Sequence, residues 1–159
     1  MKFKGTFSVT ITPTKNNGDI NVKSLKNYFN WQINKKIGGL IILGSTGEFL
    51  SIKKKNRLIM IKESIAIVDK RVPLLVGTAA ENTNDAIKYS IEAQKLGADG
   101  VMIIPPFYST PTNEELFNHF NMISREIDIP IMVYNNPATS NVDMLPETFA
   151  KLSKIKNIN

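Results

Sequence analysis

Two hydroxyl side chains, Ser45 and Thr46, lie between glycines in the segment GSTGE at residues 44–48. The segment follows the apolar run at residues 40–43 and precedes a long helical pattern, which predicts that it leaves a buried strand. Glycine tolerates the backbone of a tight turn, and free N–H groups with nearby hydroxyls can hold a small anion. The segment therefore indicates a loop that could bind a carboxylate, although Gly and Ser are also common in ordinary strand-to-helix turns.

Two tyrosines follow two other predicted strands. Tyr108 lies in PPFYSTP at residues 105–111, and Tyr134 begins YNNP at residues 134–137. A tyrosine at a strand end is most often a packing residue with a polar tip. Beside the hydroxyl pair of the first loop, however, the two phenols could carry protons without adding a charged group. The nearest acid is Glu48, whose expected role is to accept hydrogen bonds from backbone N–H groups of its own loop.

Five strand–helix units are predicted to position these side chains. The predicted strands span residues 6–12, 39–43, 72–77, 101–104 and 129–134, and the predicted helices span residues 22–36, 51–69, 82–96, 112–127 and 146–152. Residues 156–158 resemble the approach to a sixth strand. Alternating strands and helices with short connections form parallel sheets with right-handed crossovers. An open doubly wound sheet and a (β/α)8 barrel both fit, and both place functional residues at the carboxyl ends of strands.

Composition restricts the classes of function. Of the 159 residues, 42% are hydrophobic and 21% are charged, which is ordinary for a single globular domain. The absence of cysteine excludes thiolate catalysis and cysteine-based zinc sites, and the single histidine, His119, excludes a multi-histidine metal site. His119 is expected at the surface or at an interface of the fourth helix, and Trp31 is expected to pack.

The charge and hydropathy of the sequence indicate which kinds of partner, nucleic acid or membrane, can be expected. The net charge is +6, but the lysines are dispersed, and the one dense run at residues 53–55 is expected to be a solvated helix face. We therefore expect no nucleic-acid partner. The N-terminus has no apolar core of the kind that signal peptides carry, and no apolar stretch is long enough to span a membrane. These patterns predict a cytoplasmic protein without a membrane partner, metal or cofactor.

Taken together, the motifs resemble the dihydrodipicolinate synthase / N-acetylneuraminate lyase family of pyruvate-dependent class I aldolases. The resemblance rests on residues 5–13, 38–50, 104–111, 134–137 and 145–147. It covers essentially the whole chain as one domain, residues 1–159. It implies a (β/α)8 TIM barrel, of which this chain would supply about five βα units, and it implies homodimers or homotetramers.

The resemblance also implies a lyase chemistry, in which a lysine forms a Schiff base with pyruvate or another 2-keto acid. Thr46, with the backbone of Gly47, would hold the keto-acid carboxylate. Ser45 would join a proton relay with Tyr134, whose hydroxyl would act on the substrate as acid and base. Tyr108 matches a tyrosine that, in the synthase branch, reaches into the neighbouring subunit's site.

Two positions depart from the family pattern. The imine-forming lysine would follow the segment KNI, but the chain ends shortly before it at Asn159, which also replaces an expected apolar residue. The chain is therefore expected to be an inactive N-terminal portion. Thr139 stands where the synthase branch has an arginine, so the bidentate clamp for the second substrate's carboxylate is missing. That absence favours an aldolase or dehydratase of sugar acids, with the synthase of lysine biosynthesis as the alternative.

Two non-catalytic hypotheses stay open at this point. The chain could be a fragment or an interaction remnant, and a sheet that evolved to close would then expose two strand edges and promote aggregation. It could also be a small doubly wound binding module. That module would need acidic residues or a phosphate-binding loop after the first strand, and residues 12–15, TPTK, offer no acid.

Overall fold

Strands and helices alternate along the computed structural model, which describes residues 3–158. The elements are β1 (Phe7–Val9), α1 (Val22–Asn34), β2 (Gly39–Ile42), α2 (Lys54–Val68), β3 (Leu74–Gly77), α3 (Thr83–Leu96), β4 (Gly100–Ile103), α4 (Asn113–Glu126), β5 (Ile131–Val133), α5 (Pro137–Ser140) and α6 (Pro146–Leu152). Met1, Lys2 and Asn159 lie outside the described residues. The structure therefore does not bear on the expectation that Asn159 replaces an apolar residue. The predicted alternation is confirmed, and α5 is the helix that sequence periodicity missed because it is a single turn.

The chain divides into two compact units. In the first, residues 1–77 with 96–99, β1 pairs in parallel with β2 from Phe7 opposite Gly39, and β2 pairs in parallel with β3 from Leu40 opposite Leu74. The second strand therefore lies between the first and the third. A flavodoxin-like sheet would instead place the first strand between the second and the third, so this pairing excludes the flavodoxin type of doubly wound sheet and agrees with the barrel.

The second unit comprises residues 78–95 and 100–159. Here β4 pairs in parallel with β5, with Val101 opposite Ile131. Ile131 also forms a parallel bridge to Ile158, and its N–H donates to the carbonyl of Asn157 at 2.7 Å. The described chain thus ends on the far side of β5 in the geometry of a further strand, as the sequence predicts for residues 156–158.

Polar residues occupy much of the buried face of α2. The Nη2 of Arg57 donates to the carbonyl oxygen of Gly77 at 2.6 Å, and the Nδ2 of Asn56 donates to the carbonyl oxygen of Gly18 at 2.8 Å. Buried polar groups are tolerated when they are hydrogen-bonded in this way. The apolar periodicity of the sequence predicts that Leu58, Ile61, Ile65 and Val68 face the core. Ile61 and Val68 are buried, whereas Leu58 and Ile65 are only partly buried.

The predicted start of α2 at Ser51 is wrong, because the chain first passes through turns and the helix begins at Lys54. The N–H of Ser51 closes one of these turns on the carbonyl of Glu48 at 2.8 Å. For the N-cap of α4 the sequence offers Asn113 or Thr112, and the structure has Thr112, which forms a reciprocal capping box with Glu115. Hydrogen bonds from Thr112 hold the pKa of the Glu115 carboxyl below its usual value.

The apolar character of the strands agrees with their environment. Every residue of β2, β3 and β4 is buried, as expected for parallel strands covered on both faces. Trp31 differs from expectation, since 58% of it is exposed and its ring stacks on Tyr28 on the outside of α1 at a centroid distance of 6.4 Å. Among the described helices, none is long and apolar enough to cross a membrane.

Candidate active site

The chain bends sharply after β2, at Leu43. Leu43 has a φ of 55° although it is 1% exposed and is not a glycine. A left-handed conformation at such a residue costs about 1–3 kcal/mol and is concentrated at functional sites. The bend requires Gly77 on β3, because a Cβ at Gly77 would lie 2.0 Å from the carbonyl oxygen of Leu43.

Beyond the bend, two turns build the loop at residues 44–48. The N–H of Gly47 donates to the carbonyl of Gly44, and that of Glu48 donates to the carbonyl of Ser45, both at 3.0 Å. In the described part of the chain, the N–H groups of Ser45 and Thr46 donate to no backbone carbonyl, and both side chains are exposed. Free N–H groups and hydroxyls are what the predicted carboxylate site needs.

Gly47 fixes the loop to the segment that follows β1. Its carbonyl accepts a hydrogen bond from the Thr12 hydroxyl at 2.7 Å, and a Cβ at Gly47 would lie 3.0 Å from the carbonyl oxygen of Thr10. A Cβ at that distance would push on the neighbouring backbone by a few tenths of an ångström, which favours glycine here, and Gly47 can contribute to a site only through its backbone. The expected role of Glu48 is wrong, since its exposed carboxylate accepts no hydrogen bond from the described loop residues.

In the second unit, Tyr134 directly follows β5. Its N–H donates to the carbonyl of Ile103 at 2.9 Å, which holds its backbone beside the end of β4. The half-buried phenol oxygen accepts a hydrogen bond from the Nδ2 of Asn136 at 2.9 Å. Because the oxygen acts as the acceptor in this bond, the hydroxyl proton is left to donate to another acceptor. This arrangement suits the acid and base role expected of Tyr134.

Asn136 is a functional candidate that sequence reasoning missed, although an amide two residues after the tyrosine was visible in YNNP. Its neighbour Asn135 fixes the following loop by exchanging hydrogen bonds with the backbone of Met144, at 3.2 Å in each direction. Thr139 lies in α5, is exposed, and donates its hydroxyl to the carbonyl of Asn136 at 3.2 Å. Position 139 therefore carries a neutral hydroxyl and offers no positive charge to a substrate carboxylate.

Tyr108 lies in the loop between β4 and α4, and its side chain is 90% exposed. Its backbone N–H, in contrast, is held by both carboxylate oxygens of Glu81, at 2.8 and 2.9 Å. Glu81 was not singled out from the sequence. The pattern that could have found it is its place shortly after β3, at the same end of a strand as the other candidates.

His119 is 4% exposed, so its expected surface position is wrong. The reason is its spacing on α4, where it lies three residues after Leu116 and four before Ile123, both of which are buried. Its Nδ1 lies 3.0 Å from the Thr83 hydroxyl oxygen, and its ring meets Phe120 edge-on. Burial lowers the pKa of His119 to about 4, and the opposing effect of the Glu81 charge is smaller.

We expect the free energy of unfolding to fall as the pH drops from about 6.5 to about 4, and then to stop responding to His119. In that window the unfolded chain binds a proton that the folded chain excludes, so the loss approaches about 1.4 kcal/mol per pH unit. Urea unfolding at several pH values measures it. His119→Gln is the control. Both proteins carry the same carboxylates, so the difference between their free energies of unfolding at each pH isolates the contribution of His119. If the two proteins lose stability in parallel as the pH falls, the assignment is contradicted.

Comparisons with known proteins identify relatives over nearly the whole chain. The model of a family described as "Dihydrodipicolinate synthetase family" matches residues 2–159. The 4-hydroxy-tetrahydrodipicolinate synthase of Persephonella marina is 42% identical over 150 residues, 94% of this chain and 51% of that protein. The 4-hydroxy-tetrahydrodipicolinate synthase 1 of Clostridium acetobutylicum is 38% identical over 156 residues, 98% of this chain and 53% of that protein. The chain thus spans about half the length of the curated relatives it matches.

Solved structures extend the similarity to the fold. The chloride-inhibited dihydrodipicolinate synthase of Acinetobacter baumannii, solved in complex with pyruvate, matches with a TM-score of 0.96 and 31% identity, over 99% of this chain and 55% of that one. The dihydrodipicolinate synthase of Thermotoga maritima matches with a TM-score of 0.95 and 35% identity, over 98% and 53%. These matches confirm the expected fold class, an α/β TIM barrel truncated to about five βα units.

Proposed function

This chain belongs to the dihydrodipicolinate synthetase family, and from that premise we propose a pyruvate-dependent lyase activity for a polypeptide that carries it together with the other half of the relatives' length. Of the two activities weighed from the sequence, 4-hydroxy-tetrahydrodipicolinate synthase is favoured, since relatives that are 36–42% identical carry that name. The single observation that carries the proposal is Tyr134, a half-buried phenol whose oxygen is held by Asn136 at the carboxyl end of β5.

The residues of the chain divide the chemistry between them. The loop with Ser45 and Thr46 would bind the carboxylate of pyruvate through its free N–H groups and hydroxyls. Tyr134 would pass protons to and from the substrate as the imine forms and breaks. The attacking amine would come from outside residues 3–158, and we assign that role to none of the lysines in the chain.

Pyruvate as the substrate is supported by the A. baumannii synthase, whose structure holds it. The strand-end loop of this chain offers an anion the N–H groups and hydroxyls of Ser45 and Thr46, and its one carboxylate, Glu48, is exposed to solvent. We further propose a homo-oligomer, for which the 90% exposure of the Tyr108 ring is the supporting observation. One related synthase variant, 35% identical, is described as monomeric, so the assembly needs its own measurement. The proposed location is the cytoplasm, where pyruvate is a central metabolite.

A sugar-acid lyase is the second candidate, and Thr139 is the observation that favours it. The hydroxyl of Thr139 is turned to its own helix backbone, and it cannot replace the planar, charged guanidinium that clamps a carboxylate. Two assays separate the candidates. One pairs pyruvate with an aldehyde that carries a carboxylate, and the other offers 2-keto-3-deoxy sugar acids for cleavage. Faster turnover in the second assay would reverse the preference.

Borohydride trapping tests the proposed chemistry itself. Incubating the longer polypeptide with pyruvate and sodium borohydride should add the mass of one reduced pyruvate imine to a single lysine, detectable by mass spectrometry after proteolysis. The reaction without pyruvate is the blank, and the 159-residue chain by itself is the matched negative control. Absence of the adduct on the longer polypeptide would refute the proposed function.

A further inference from the structure

We propose that Glu81 is a positioning residue, which holds the backbone of the loop at residues 105–111 so that the side chain of Tyr108 leaves the chain in one fixed direction. This inference rests on the proposed function, since it assigns Glu81 to the same proton-handling site as Tyr108. It adds a residue from a different connection, between β3 and α3, to the machinery that the sequence motifs indicate.

The carboxylate of Glu81 gathers three consecutive backbone N–H groups. That of Tyr108 donates to Oε1 at 2.8 Å and to Oε2 at 2.9 Å, that of Phe107 donates to Oε2 at 3.3 Å, and that of Ser109 approaches Oε1 at 3.4 Å. Successive N–H groups that converge on one anion form a concave nest. Hydrogen bonds to a charged acceptor are roughly twice as strong as neutral ones, so a single side chain fixes the backbone on both sides of Tyr108.

Packing does little to orient Tyr108, because 90% of the residue is exposed. Its orientation therefore depends on its backbone. Prolines at positions 105, 106 and 111 restrict φ at both ends of the loop. The Glu81 contacts lie between those restraints and act on the backbone at Tyr108 and at both of its neighbours.

Glu81 is itself held at both sides along the chain. Three residues before it, the N–H of Thr78 donates to the carbonyl of Met102 at 3.1 Å. One residue after it, Asn82 accepts a hydrogen bond from the N–H of Asp85 at 2.8 Å and donates to the Asp85 carboxylate at 2.7 Å. Because the connection between β3 and α3 is short and hydrogen-bonded on both sides of Glu81, its carboxylate can restrain the neighbouring loop at residues 105–111.

A double-mutant cycle in the longer polypeptide tests the role. Because small displacements of a reacting group cost up to about 100-fold in rate, Glu81→Ala should lower kcat about 10–100-fold with little change in KM. In a Tyr108→Phe background the same substitution should change kcat less than about 2-fold, since coupled residues are not additive. Glu81→Gln keeps one acceptor oxygen and should recover part of the rate, while the exposed Glu126→Ala serves as the control and should leave it unchanged.

Amide hydrogen exchange supplies a readout that does not require activity. Glu81→Ala should speed exchange of the amides of residues 107–109 and leave those of β4 as they are. Equal losses of kcat in both backgrounds, or unchanged exchange at residues 107–109, would overturn the positioning role. If borohydride traps no pyruvate, the proposed function fails separately, and the exchange rates alone still decide whether Glu81 holds the loop.

Discussion

In the longer polypeptide, Tyr134→Phe is expected to lower kcat about 10²–10⁴-fold, the usual contribution of a positioned acid or base. Phenylalanine keeps the ring and removes the oxygen that accepts the hydrogen bond from Asn136. KM should change little, because the carboxylate of pyruvate is assigned to the loop after β2. Steady-state kinetics at saturating pyruvate measures the effect.

The controls separate chemistry from structure. Tyr28→Phe removes a phenol oxygen on the outside of α1 and should leave kcat within about 2-fold, as distant surface changes do. Asn136→Ala should give an intermediate loss, because the phenol stays but its oxygen loses a donor. A Tyr134→Phe protein with nearly normal kcat would contradict the acid and base assignment.

Gly77→Ala is expected to be the most destabilising small substitution in the chain, at about 3 kcal/mol or more, the upper part of the range for overpacked sites. The new Cβ would lie 2.0 Å from the oxygen and 2.7 Å from the carbon of the Leu43 carbonyl, and 3.2 Å from the nitrogen of Gly44. These are backbone atoms, so no rotamer change can relieve the clash. Urea unfolding measures the loss, against a total of about 5–15 kcal/mol for ordinary domains.

In the longer polypeptide, the substitution should also reduce pyruvate trapping, because the backbone it displaces leads directly into the loop at residues 44–48. Gly18→Ala is the matched control. Gly18 has a φ of 83°, but a Cβ added there would have no heavy atom within 4 Å, so this variant should lose only the cost of a left-handed alanine, about 1–2 kcal/mol. Equal losses at the two glycines would show that the clash at Gly77 is absorbed.

Local periodicity was sufficient to predict most of the fold. The bounds of α6 (Pro146–Leu152) agree with the prediction because a proline starts the helix and the apolar spacing is local. For the N-cap of α4 the sequence left Asn113 and Thr112 open, and the capping box between Thr112 and Glu115 in the structure decided between them. By contrast, the start of α2 could not be read from helix periodicity, because the turn hydrogen bonds of the preceding loop decide where the helix begins.

The candidate site was predicted only where a motif marks it. Ser45, Thr46, Tyr108, Tyr134 and Thr139 were proposed from the sequence, and their roles remain predictions. Asn136 and Glu81 were identified from their hydrogen bonds in the structure, because the sequence does not show which residue an asparagine or a glutamate will bind. Of the two, the contact of Glu81 links residues 26–28 positions apart in the chain, which no pattern of local spacing can encode.

The sequence by itself determined the alternation of strands with the longer helices and which side chains follow the strands, because both depend on the periodicity and turn chemistry of neighbouring residues. Only the tertiary structure decided that His119 is buried, that Trp31 is exposed, and that Leu43 can bend beside Gly77. Those outcomes depend on which distant surface covers a given face of an element. That surface is fixed by the packing of the fold and not by the residue's own neighbours in the chain.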